Sequence, residues 1–228
     1  MSSCLDQVPT VGFVEEALES ILAVQGLKEL VGVYFKGLPK TDFAGRLFDS
    51  LPENPPDQVV ASDLVAVALL DVGFGARATD ELLNAGCLNP YLALDRLPVD
   101  VDLWMALDRV DHLYGAYGAL KNLHNVGPTK ASKLLARKRP RLAPITDSHV
   151  GSFFSCAGWE FLSPLAVCLA GSRGLVDAIN ELRPSFGKAD DAPSTLRLLD
   201  IAIWMTRSRA KSAAEAREVV LGRRGPLG

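Results

Sequence analysis

The sequence predicts an all-α protein, and three observations predict it. Apolar residues recur at helical spacing through most of the 228 residues. Strand-type alternation is nearly absent, and no repeat period is visible. Gly and Pro clusters separate the periodic segments, several of which open on a polar cap residue.

Phe13, Val14, Leu18, Ile21, Leu22, Leu27, Leu30 and Val31 give residues 11–34 a helical face, and Gly26 marks a break in it. Gly37 to Lys40 reads as a turn and Phe43 to Leu51 as a short amphipathic piece. The stretch from Pro52 to Asp57, with three Pro and an Asn, cannot continue a helix and reads as a linker. Ser62 and Asp63 stand ahead of the apolar run LVAVALLDV as its cap. Ala78 to Gly86 reads as a further helix, and Pro98 to Asp102 separates it from a helix over Leu103 to Leu123. A helix from Pro128 to Lys138 follows, since Pro is tolerated in a first turn. Helices are then expected near 148–156, 161–170, 173–183 and 194–207, the last capped by Ser194 and central to the core.

Bulk properties limit the functions available. With 48 % hydrophobic and 22 % charged residues the chain can bury a core. It is most simply one domain, or two helical lobes around a cleft, divided as 1–57 (helical segment and linker), 58–210 (core) and 211–228 (loose tail). A net charge of -3 excludes a surface coated in nucleic acid and confines any such contact to a patch. Cys4, Cys87, Cys156 and Cys168 lack the close spacing of zinc or iron–sulfur ligands, and no cofactor is implied. With no apolar run of spanning length, no membrane contact and a reducing, cytoplasmic setting are expected.

Leu120 to Val150 carries the chemistry. Seven cations and no acid lie between Lys121 and Arg141: Lys121, Lys130, Lys133, Arg137, Lys138, Arg139 and Arg141. Asn125-Val126-Gly127 reads as a tight hairpin, because Asn visits the left-handed region and Gly permits close approach. Val126 points inward and locks the flanking helices. Backbone amides at the next helix N-terminus, with Thr129, Lys130 and Lys133 beside them, suit a phosphate. An ordinary corner between helices accounts for the same pattern. Arg137 to Arg141 is either a grip on a phosphate strand or a solvated helix end. Asp147 is either the N-cap of the helix that follows or an acid placed for chemistry about twenty residues after the hairpin. His149 is a proton partner or a structural histidine. Trp104 and Trp204 belong to apolar helical patterns, whereas Trp159, beside Gly158, is the tryptophan placed to stack on a base.

Leu123 to Val150 resembles the signature of the helix-hairpin-helix DNA glycosylase superfamily. Val126-Gly127 and Ala131 match its hairpin, and Pro144-Ile145, Asp147 and Val150 match its second half. The resemblance implies a DNA-binding, sequence-independent hairpin and a catalytic Asp147 that acts on the anomeric carbon of a flipped nucleotide. Two positions depart from it. Asn125 replaces the hairpin's first Gly, and Thr129 stands where bifunctional members carry a nucleophilic Lys. Lys130 is about 100° around the helix from that position, so the activity implied is monofunctional. A longer resemblance, through SDLVAVALLDV, LPVDVDLW, VGPTKASKLLARKRPRLAPITDSHV and LRLLDIAIWM, is to an uncharacterised bacterial family of unknown function. It implies a soluble helical protein and no activity. Three functions therefore stand open: a monofunctional N-glycosylase, a non-catalytic DNA-binding module, and a helical protein turned to a protein or small-ligand partner.

Overall fold

The structure is a computed structural model in which residues 8–84, 94–184 and 192–222 are described. Among these residues it is helical, without a strand, and an isolated bridge between Leu38 and Thr41 is its extended pairing. The helices are α1 (Val11–Leu22), α2 (Leu27–Lys36), α3 (Ala61–Ala68), α4 (Ala76–Leu83), α5 (Val110–Lys121), α6 (Pro128–Lys138), α7 (Ser148–Phe154), α8 (Leu162–Gly171), α9 (Arg173–Asn180), α10 (Thr195–Arg207) and α11 (Lys211–Val220). Short 3-10 turns occupy Ala44–Leu47, Leu94–Arg96, Leu103–Met105 and Leu107–Arg109.

Local signals set most of these boundaries. Thr10, Ser172 and Ser194 accept from first-turn amides and start α1, α9 and α10. Gly26, at φ 74°, breaks the 11–34 periodicity into α1 and α2, because that backbone conformation costs glycine least. The 61–68 helix starts one residue before Ser62, so Asp63 caps it from the first turn, accepting from Val60 N at 2.8 Å. The expected helix over 103–123 is two 3-10 turns followed by α5, because Ala106 (φ -131°, ψ 42°) interrupts the helical backbone. Gly86, the expected end of α4, and Cys4 and Cys87 lie outside the described residues.

One continuous cluster of buried side chains runs from Val14 in α1 to Ala216 in α11. At its centre α10 packs against α2, α7, α9 and α11, while α6 packs between α3 and α5. Residues 211–222 are not a loose tail. Ala213 and Ala216 bury one face of α11 against α10 and α2, and Arg217 donates to the carbonyls of Met205 (2.6 Å) and Ser208 (2.8 Å). One tryptophan reverses expectation. Trp159 is 2 % exposed, stacked on Tyr117 (centroids 4.3 Å) and donating to Pro144 O at 2.9 Å, so it has no face left for a base. Trp104 and Trp204, half-buried, pack against the core as expected.

The basic run is interior. Arg137, Lys138 and Arg139 are each 2–3 % exposed. The segment expected as a free linker, 52–57, is the strap they hold. Arg137 donates to the carbonyls of Phe48 (2.8 Å), Asp49 (3.1 Å) and Leu51. Lys138 donates to Asn54 Oδ1 (2.9 Å) and Pro55 O (3.0 Å). Arg139 donates to Pro56 O, Leu97 O (both 2.7 Å) and Leu94 O. Arg141 is paired bidentately with Asp102 at 2.9 and 2.7 Å. Chain segments without regular structure need partners for their carbonyls once buried, and long cationic side chains supply many donors from one place. Neither a phosphate strand nor a solvated helix end describes Arg137 to Arg139.

Candidate functional site

The turn between α5 and α6 spans 122–127. Asn125 takes φ 60°, the left-handed conformation its residue type favours. Val126 is buried and its amide donates to Leu123 O at 3.1 Å, so the turn folds over an apolar plug. Gly127 is the N-cap of α6, and no side chain caps that end. The amides of Thr129 and Lys130 lie in the first turn, where no intrahelical acceptor exists. Asn125, Gly127 and Pro128 are exposed, and Thr129 and Lys130 half-buried. Lys130 Nζ donates to Asn125 O at 2.9 Å and closes the turn from outside.

Lys133 and Arg137, expected beside these groups as DNA contacts, are buried inside the protein. Lys133 is 6 % exposed and donates to Leu70 O at 2.7 Å, the carbonyl left free where α3 ends. Burial pushes its ammonium below the ordinary lysine range, against the pull of Asp200, Asp147 and Asp71. Every residue of α6 from Ala131 to Lys138 is buried, so Lys133 and Arg137 are interior. Lys130, on the same side of the helix but in its first turn, stays half-buried at the open end.

Asp147 is held by three independent fixings of the segment ahead of it. Ser132 Oγ accepts from Thr146 N (2.9 Å) and gives its proton to Thr146 O or Thr129 O, at 3.2 and 3.1 Å. Thr146 Oγ1 donates to Gly158 O at 2.8 Å, and Trp159 Nε1 holds Pro144 O. Asp147 itself caps α7, its Oδ1 accepting from His149 N (2.9 Å) and Val150 N (3.0 Å). The cap accounts for one carboxylate oxygen. Oδ2 makes no hydrogen bond among the described residues, and the residue is half-buried.

Asp147 lines a cleft of about 240 Å³. Lys133 of α6, Asp147 before α7, Asp200 and Trp204 of α10, Phe43, and Asp71 after α3 line it. Its floor is a buried ionic network around Arg197. The guanidinium pairs with Asp200, with Asp49 Oδ2 (3.1 Å), with Tyr34 Oη (2.9 Å) and with Gly45 O (2.9 Å). Burial pushes Asp200 up to about 6, and the negative charge of Asp147 adds to it, against the pull of Arg197 and Lys133. Burial also pushes the Tyr34 phenol up to about 12. His149 lies outside the cleft lining.

Sequence reasoning found Asp147 and the turn but missed Ser132, Thr146, Arg197 and Asp200. Asp200 sits mid-helix in an apolar run, LRLLDIAIWM, and a charge at the buried face of a core helix is the signal that marks it.

Fold and site together define an all-helical protein with a carboxylate-lined cleft where α3, α6, α7 and α10 meet. The chain belongs to the family of unknown function DUF6308, which matches residues 27–207. That span contains every residue lining the cleft except Ala210 and Ser212. No curated protein and no solved structure matches the chain. No single helix among the described residues is long and apolar enough to cross a membrane.

Proposed function

We propose that this chain hydrolyses N-glycosidic bonds in DNA, as a monofunctional glycosylase, with Asp147 as the catalytic carboxylate. The observation that carries the proposal is the half-buried Asp147 lining the cleft, fixed in place with one oxygen spent on the α7 amides and the other without a hydrogen bond among the described residues. A carboxylate so held activates water or stabilises a sugar cation at the anomeric carbon. A flipped base would lie against Trp204, the half-buried aromatic residue of the cleft lining. The backbone would rest on Asn125, Val126 and Gly127, the amides of Thr129 and Lys130, and the Lys130 ammonium. Lys133 and Arg137 leave this contact set because their donors are spent inside the protein. The resemblance of Leu123–Val150 to helix-hairpin-helix glycosylases supports the same assignment. Thr129, where bifunctional members carry lysine, keeps it monofunctional.

The test is binding and base release on duplex DNA carrying a stable abasic-site analogue or a damaged base. Wild-type protein is expected to prefer the abasic analogue to undamaged duplex. Asp147→Asn should retain that preference and release no base. Base release by that variant, or equal binding to both duplexes, would overturn the assignment. Salt dependence should be shallow, because Arg141 is paired with Asp102 and only Lys121 and Lys130 of the run are left for phosphates at the surface. Two phosphate contacts correspond to a slope of about -2 in log K against log salt.

Gly127 offers a cleaner probe of the turn. Its φ is -84° and a Cβ there would meet no heavy atom within 4 Å, so the fold does not demand glycine. Gly127→Ser also supplies a preferred N-cap, and stability should rise or hold within a few tenths of a kcal/mol. DNA affinity should fall, because the added side chain occupies the space a phosphate would use. Unchanged affinity, measured beside unchanged thermal unfolding, would remove the turn from the interface.

A further inference from the structure

Four aspartates line the cleft, Asp42, Asp71, Asp147 and Asp200, and the surroundings of the last two are opposite. Asp147 is half-buried and held by two amide donors. Asp200 is 8 % exposed on α10, its Oδ2 taken by Arg197 and its Oδ1 without a hydrogen bond among the described residues. Ile145, Ile201, Trp204 and Phe43 are part of the apolar share of the cleft lining, beside the charged Arg197 and Lys133. Each acid therefore has one oxygen without a hydrogen bond, both residues line one cavity, and the negative charge of Asp147 acts on Asp200.

We infer that Asp200 is a second catalytic residue, the acid that protonates the departing base, so that the cleft favours bases that leave as neutral molecules only after accepting a proton. The inference rests on the N-glycosidic reading above and names the substrate class for it. In the step, water adds to the anomeric carbon as the C1′–N bond breaks, and the bond's electron pair goes to the base nitrogen. Asp200 gives that nitrogen a proton, and Asp147 takes one from the water. Solvent then carries a proton from Asp147 back to Asp200, leaving a neutral base and an abasic sugar. Arg197 binds the far oxygen of Asp200, which leaves the other oxygen to carry the proton.

Several groups set when that proton is present. Arg197 on the same helix and Lys133 from α6 favour its loss, while Asp147 and burial favour its retention. Tyr34 from α2, Asp49 ahead of the strap and Asp71 after α3 complete the charged surroundings through Arg197 and Lys133. Burial, with the charge of Asp147 adding to it, raises Asp200 to about 6, against about 3.9 for an unperturbed aspartate.

The experiment compares two substrates in duplex DNA. N7-methylguanine is already cationic and leaves without a proton, whereas uracil and hypoxanthine leave as anions unless protonated. Asp200→Asn should raise the ratio of N7-methylguanine release to neutral-base release by about 100-fold. Asp147→Asn should stop release of both. Should the Asp200→Asn variant fail to fold, the wild-type pH profile decides the matter. Neutral-base release should fall as pH rises through 6 to 7 and Asp200 loses its proton, and N7-methylguanine release should not fall with it. An unchanged ratio, or parallel pH profiles, overturns the role of Asp200 and leaves that of Asp147 standing. Wild-type protein that releases none of these bases overturns the glycosylase reading itself.

Discussion

Asp63→Ala is expected to cost about 3–5 kcal/mol of stability, the range for removing one partner of a buried ion pair. Asp63 is 0 % exposed. Its Oδ2 accepts from Val60 N at 2.8 Å and pairs with Lys138 Nζ, and its Oδ1 lies 3.4 Å from Arg137 Nε. Alanine leaves two buried cations facing each other with carbonyl partners but no counter-charge, and it frees the α3 amide end. Thermal unfolding should fall by roughly 10 °C for a domain of this size. The sign of the pH dependence identifies the cause. Burial already holds Lys138 below the ordinary lysine range, with Asp63 the main group opposing that shift. Without Asp63 the shift deepens, so the unfolded chain binds more protons than the folded one at alkaline pH. Stability of the variant should therefore recover in part as pH rises toward the unfolded lysine value of about 10.4. A denaturation midpoint equal to wild type would show that the strap is held without this pair.

Arg197→Met carries the second large effect, again about 3–5 kcal/mol. Methionine keeps an unbranched stem against Phe48 and Tyr34, whose rings lie 5.1 and 5.6 Å from the guanidinium carbon. What disappears is the charge shared by Asp49 and Asp200 and the donors to Tyr34 Oη and Gly45 O. The linkage now runs the opposite way. A carboxyl group whose folded value lies above its unfolded one contributes stability at low pH and loses it as pH rises through the folded value. Asp200, already near 6, moves higher without its cation. The deficit should be smallest near pH 4 to 5 and grow above 6. Adding Asp200→Asn should restore part of the loss, since the neutral amide removes the buried charge that Arg197→Met leaves uncompensated. Urea denaturation of the single and double variants at pH 5 and pH 7.5 measures this, and a pH-independent deficit would assign the loss to packing instead.

Both predictions come from groups that local reading assigned elsewhere or passed over. Arg137 and Lys138 stand in a run of like charge, which by itself describes a phosphate grip or a solvated helix end equally well. Their hydrogen-bond acceptors are 83 to 89 residues away in the chain, at Phe48, Asp49, Leu51, Asn54 and Pro55. Nothing about spacing within α6 encodes those partners. The same limit applies to the cleft. Asp147 was legible because a cap and a short motif are local features, whereas its neighbours Lys133 and Asp200 reach it through packing of α6 against α3 and α10 against α7. Trp159 was misread for a related reason. A Gly beside an aromatic residue signals a loop, but the loop folds back onto Tyr117 and the Pro144 carbonyl.

Local chain chemistry is enough to set the helical class, the Gly26 break, the left-handed turn at Asn125 and the caps at Ser194 and Asp147. Each is decided within about four residues by backbone sterics, capping geometry or a 3.6-residue repeat. Packing between distant segments is what turns the basic run inward, docks 211–220 as a helix, and brings Asp200 into one cleft with Asp147. Those outcomes depend on burial and on donors finding acceptors far along the chain, and local pattern carries no record of which segments will meet.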